Sequence, residues 1–146
     1  MITAETIAQL GHRNWIAVVD SAFPELIAPG VRMIVGGDLG QVIEMIRSAP
    51  HVRAEAFLDS ELEFLTDDLC PGAENFKRLL DQKMDGVPRV VLAHDEIIAM
   101  LDEAAKTFRV LIIKTPALLP YTSVFFRLEC GYWSAQSEAE LRSRMG

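Results

Sequence analysis

The sequence predicts an α/β domain of three layers, with a mainly parallel central sheet and helices on both faces. Three observations carry that expectation. Trp15-Ile16-Ala17-Val18-Val19 and Arg109-Val110-Leu111-Ile112-Ile113 are nearly continuous apolar runs, the pattern of strands covered on both faces and therefore parallel. Segments with apolar residues at helical spacing lie between such runs. The two kinds alternate along the whole chain, which is the order of a parallel sheet with crossover helices. At 146 residues the chain is long enough for one domain and short of two.

Each element has a local reason. Thr3 can cap a short helix with Glu5 in its first turn and Ile7 and Leu10 on one face, and Gly11 is a natural stop. After the Trp15 strand, Asp20 marks its end, and Ser21 to Gly30, with Pro24 and Pro29, reads as a loop. Val31 to Val35 is a second strand. Asp38 then caps a helix carrying Leu39, Val42, Ile43 and Ile46, which should end near Pro50. Val52, Ala54 and Ala56 alternate with larger or charged residues and permit a third strand. Pro71-Gly72 opens a helix through Phe76, Leu79 and Leu80, and Val87 to Leu92 is strand-like. A long helix from about Asp95 presents Ile97, Ile98, Leu101, Ala104 and Ala105. The Arg109 strand follows, then a loop to Pro120, and Val124-Phe125-Phe126 as the last strand. Ser137 with Glu140 three residues on is a capping-box pattern for a C-terminal helix.

Composition narrows the function. Hydrophobic residues make up 50% and charged residues 24%, with 14 basic against 21 acidic side chains giving −7. Affinity for nucleic acid or an anionic membrane rests largely on basic residues, so neither partner is expected. Cys70 and Cys130 lie far apart without Cys-x-x-Cys spacing, which excludes a disulfide scaffold and a thiolate zinc site and suits a reducing compartment. No basic segment precedes an apolar run at the N-terminus and no stretch has the length of a spanning helix, so the expected location is cytoplasmic.

Phosphate-binding glycine motifs and the Gly-x-Ser-x-Gly elbow are absent, and His12, His51 and His94 show no metal-ligand pairing. Glu55, Asp59, Glu61, Glu63, Asp67, Asp68 and Glu74 follow one another with no lysine or arginine between them. A solvated surface is the expectation for this run, with a divalent-cation site as the sharper alternative. Ligands of parallel sheets bind outside the carboxyl ends of the strands, which directs attention to Asp20, His94 and Tyr121.

The segment Leu10-Gly11-His12-Arg13-Asn14-Trp15-Ile16-Ala17-Val18-Val19-Asp20-Ser21-Ala22-Phe23-Pro24 resembles the N-terminal signature of the D-ribose pyranase and L-fucose mutarotase family. Pro120-Tyr121-Thr122-Ser123-Val124 is similar to that family's Tyr-x-Asn segment, with serine at the asparagine position. His94 sits before the penultimate helix, where the pyranases carry a second histidine. The resemblance implies interconversion of sugar anomers, or of pyranose and furanose forms, by general acid/base catalysis without cofactor or metal. It implies His12 as the principal acid/base with Asp20 orienting its ring. His94 and Tyr121 then bind hydroxyls or shuttle the second proton, and Phe23, Ser123 and Arg13 contact the monosaccharide. It further implies a ring-like homo-oligomer, octamer or decamer, with the site in a cleft between neighbouring subunits. The whole chain, 1–146, is then one domain with a C-terminal extension from about residue 132. Two other readings stand beside this: a non-catalytic sugar-binding or regulatory relative, and an oligomeric scaffold with Phe125-Phe126 and Tyr132-Trp133 at its interfaces.

Overall fold

The computed structural model describes residues 2–146. Six strands, β1 (Trp15–Val19), β2 (Val31–Val35), β3 (Val52–Asp59), β4 (Arg89–Leu92), β5 (Val110–Lys114) and β6 (Val124–Cys130), form one sheet in the order β2-β5-β1-β6-β3-β4. Only β6 runs antiparallel, against β1 on one side and β3 on the other. Val124 therefore pairs with Val18 and with Leu58. That register brings the start of β6 to the edge where its neighbours end.

Helices cover both faces, as expected. On one face α1 (Ala4–Gln9), α2 (Leu39–Arg47) and α3 (Ala73–Lys83) pack Ile7, Val42, Ile46, Leu80 and Met84 against Ile16, Leu111 and Phe126. On the other, α4 (His94–Ala104) packs Ile97 and Leu101 with Ala17, Ile112, Phe57 and Phe125. Phe125 and Phe126 alternate between the two cores and are fully buried, so they are core rings and not the interface residues of the scaffold reading. Tyr132 and Trp133 are exposed. The last helix, α5 (Ala135–Arg144), buries no residue. Its cap is Ser134, whose hydroxyl accepts from Ser137 N–H, and not Ser137 as the capping-box pattern suggested. The cap moves forward because the helix begins three residues earlier than expected.

Gly30 ties the α4–β5 turn to β2. Its N–H donates to Ala105 O, while its own carbonyl accepts from Val110 N–H and from the Arg109 guanidinium. A Cβ at Gly30 would lie 2.2 Å from Phe108 O and 2.5 Å from Ala105 O, both backbone atoms that cannot step aside. Gly11 has open space around it. Gly30→Ala is therefore expected to cost about 1–3 kcal/mol or more through overpacking, with Gly11→Ala near neutral. Thermal denaturation of the two variants checks this, and equal melting temperatures would contradict it.

Candidate functional site

The ends of β1, β3 and β4 and the start of β6 meet along one edge of the sheet, and polar side chains collect there. Asp20 follows β1, Asp59 closes β3, His94 opens α4 just after β4, and Tyr121 and Ser123 precede β6. Ser123 Oγ donates to Asp20 Oδ1 across 3.5 Å, a long bond, and the Ser123 side chain is buried. His94 Nδ1 lies 2.9 Å from Asp59 Oδ1. The imidazole stands edge-on to Tyr121, with 5.7 Å between ring centroids, and 6.4 Å from Phe125. Phe23 packs against Phe125 at 6.2 Å. Phe23 is itself only 4% exposed and sits in the core beside the fully buried Phe125, so it does not present its ring as a sugar contact.

The backbone fixes this arrangement. Ala93 has no side chain to cap α4, and Glu61, in a short 3₁₀ turn at Ser60–Phe64, does so from a distance: His94 N–H donates to its two carboxylate oxygens at 2.9 and 3.2 Å. A carboxylate there satisfies an orphan donor and suits the helix dipole. The end of β3 thus holds His94 twice, Asp59 at the ring and Glu61 at the backbone. Tyr121 has φ +58°, left-handed backbone that an L-residue with a bulky ring adopts at a cost of about 1–2 kcal/mol. Strain of this kind is concentrated at functional sites.

These acids differ from the solvated surface expected of the acidic run. Asp59 is 2% exposed, and its Oδ2 has no hydrogen-bond partner. Burial pushes its carboxyl above the ordinary aspartate value, with the neighbouring Glu61 and Asp20 charges acting the same way, and the His94 contact offsets this only in part. For Glu61 burial also works against ionisation, but the His94 N–H and the Ser60 hydroxyl outweigh it and hold the carboxyl below its usual value. Glu55 pairs with Arg127. Among the described residues no group of three or more His, Cys, Asp or Glu side chains is arranged to hold a metal ion.

The raised Asp59 pKa has a signed consequence for stability. A group whose folded pKa exceeds its unfolded one stabilises the fold fully below the unfolded value, and that contribution is lost as pH rises through the folded value. Asp59→Asn should remove this loss. The melting-temperature difference, variant minus wild type, is expected to rise from acidic to neutral pH; a difference independent of pH would contradict it.

His12 and Arg13 lie at the other end of β1, so within one chain Asp20 does not reach the His12 ring. They precede β1 whereas Asp20 follows it, and the five residues of β1 separate the two ends by roughly 16 Å at about 3.3 Å per residue. His12 and Arg13 meet Glu129 and Leu128 near the end of β6, whereas Asp20 meets Ser123 just before its start. His12 Nδ1 instead pairs with Glu129 at 3.0 Å, and the imidazole is 53% exposed. Glu129 is held in turn by Arg127, which also binds Glu55 and stacks on Phe57. Arg13, at φ +76°, donates its N–H to Leu128 O and lays its guanidinium over Phe108. His12, Arg13, Arg53, Trp133 and Arg142 line a cavity of about 620 Å³ between the sheet and α5. Each edge of the sheet therefore carries one histidine–carboxylate pair. Asp59 and Glu61 are the site residues that sequence reasoning missed; the signal was their position at the carboxyl end of a strand.

No protein-family model matches the chain, and no curated protein matches it by sequence. Among solved structures, it is similar to Bacillus subtilis RbsD complexed with D-ribose, at TM-score 0.58 and 17% identity, over 90% of this chain and 92% of that one. It is also similar to the fucose mutarotase of Streptococcus pneumoniae in complex with L-fucose, at TM-score 0.54 and 14% identity, over 89% of this chain and 91% of that one. At such identities the likeness concerns the fold. Nearly the whole chain has the α/β fold of the ribose pyranase and fucose mutarotase structures.

Proposed function

We propose that the protein is a monosaccharide mutarotase or pyranase, interconverting anomers or ring forms of a sugar such as ribose or fucose by general acid/base catalysis. The observation that carries this is the gathering of Asp20, His94, Tyr121 and Ser123 at the carboxyl edge of the sheet, around the buried His94–Asp59 contact. Opening a cyclic hemiacetal takes a proton from the anomeric hydroxyl and gives one to the ring oxygen as the bond between the anomeric carbon and that oxygen breaks. Closure onto the other face of the carbonyl gives the other anomer; closure by a different hydroxyl gives the other ring size. An imidazole serves either transfer near neutral pH. Tyr121 and Asp20 supply a donor and an acceptor for sugar hydroxyls, and the part-exposed ring of Tyr121 offers an apolar face to its C–H groups.

His12 keeps a role in this reading if a second copy of the chain delivers it. Its half-exposed ring, anchored by Glu129 and Arg127, faces away from its own Asp20. A homo-oligomer that seats the His12 edge of one subunit against the His94 edge of the next supplies two imidazoles to one sugar, one for each proton. Titration with ribose, fucose, galactose and rhamnose, followed by NMR at His94, Tyr121 and Ser123, tests the site. Selective shifts at these residues support it; an unperturbed spectrum with every sugar contradicts it and favours the scaffold reading.

A further inference from the structure

We infer that Asp59 is a positioning residue: it fixes the His94 ring in the tautomer with hydrogen on Nδ1, leaving Nε2 as the atom that exchanges a proton with the substrate. The inference rests on the sugar-exchange reading for its consequence, but its structural content stands on geometry alone. The Asp59 side chain has no solvent exposure, so it does not touch the sugar and acts only through the histidine. Its Oδ1 stands 2.9 Å from Nδ1, within range of a charge-assisted bond. A buried carboxylate with one oxygen unpartnered costs stability. A buried carboxylate carrying such a cost is explained by what it does to its one side-chain partner. The groups facing His94 are Asp59 from β3, Glu61 through the backbone, Tyr121 from the β6 approach and Phe125 from β6. Among them Asp59 alone contacts a ring nitrogen.

The other face of the ring explains why the tautomer matters. A neutral imidazole has one N–H and one bare nitrogen, and the partner of one nitrogen decides which is which. With Nδ1–H committed to Asp59, Nε2 is bare and ready to accept the anomeric proton, and the imidazolium formed is stabilised by the carboxylate behind it. With Nδ1 bare, Nε2 carries hydrogen and the base is lost.

Two measurements test this. Nitrogen-15 NMR of the neutral imidazole in the wild-type protein, recorded at alkaline pH, is expected to show Nδ1 protonated and Nε2 bare. The reverse tautomer would overturn the inference whether or not any sugar turns over. Asp59→Asn, which keeps shape and removes charge, is expected to lower kcat for exchange roughly ten- to a hundredfold, less than the 10²- to 10⁴-fold that a proton-transfer group contributes in all, with KM little changed and the tautomer no longer fixed. Unchanged kcat and tautomer in a folded Asp59→Asn would also overturn it. If no sugar is exchanged by the wild type, the functional reading fails while the tautomer experiment still decides the role of Asp59.

Discussion

His94→Ala is expected to slow sugar exchange by about 10²–10⁴-fold, the contribution of a positioned proton-transfer group. His94 is the first residue of α4, capped through its backbone by Glu61, so removing the ring leaves the helix start intact. The ring is partly exposed, and its neighbour Phe125 is held by β6 and the core. Loss of activity should therefore come with a retained fold at a lowered melting temperature, since buried Asp59 loses its side-chain partner, and circular dichroism with thermal melting separates the two effects. Full exchange activity in a folded His94→Ala protein would remove His94 from the mechanism.

Mixing two inactive variants gives the second large effect. If one site takes His94 from one subunit and His12 from its neighbour, His12→Ala alone should be as damaging as His94→Ala, despite lying at the other end of β1. Co-expression of the two variants should then restore about a quarter of the sites, the share that random assembly through heterologous contacts leaves with both histidines. The singly mutated proteins supply the baseline. No recovery above that baseline would place the whole site within one chain, and full activity of His12→Ala would remove His12 from the chemistry.

The strands and helices were legible because each carries its own periodic signal. β1 and β5 read as buried apolar runs, α2 and α4 as amphipathic faces, and Thr3 and Asp38 as caps, each found in the expected place. The antiparallel course of β6 was not legible, since an apolar run carries no direction; yet that reversal brings Ser123 to Asp20. Asp20, His94 and Tyr121 followed from the rule that places ligands at strand ends. Asp59 was hidden by its company, because a charge within an acidic run reads as solvated and only tertiary packing buries one member of it. His12 stood eight residues from Asp20 in the sequence, and an extended strand turns that short separation into a long distance. A strand keeps its ends apart, and sequence proximity across it is no guide to a shared site.

The central claim, that this edge exchanges sugar ring forms, is tested most directly by magnetisation exchange between anomeric protons in the wild-type protein, with ribose, fucose, galactose and rhamnose in turn. The account predicts exchange well above the uncatalysed rate for one of these sugars. Rates equal to buffer alone for a sugar that demonstrably binds at His94 would contradict catalysis and leave a sugar-binding protein in its place.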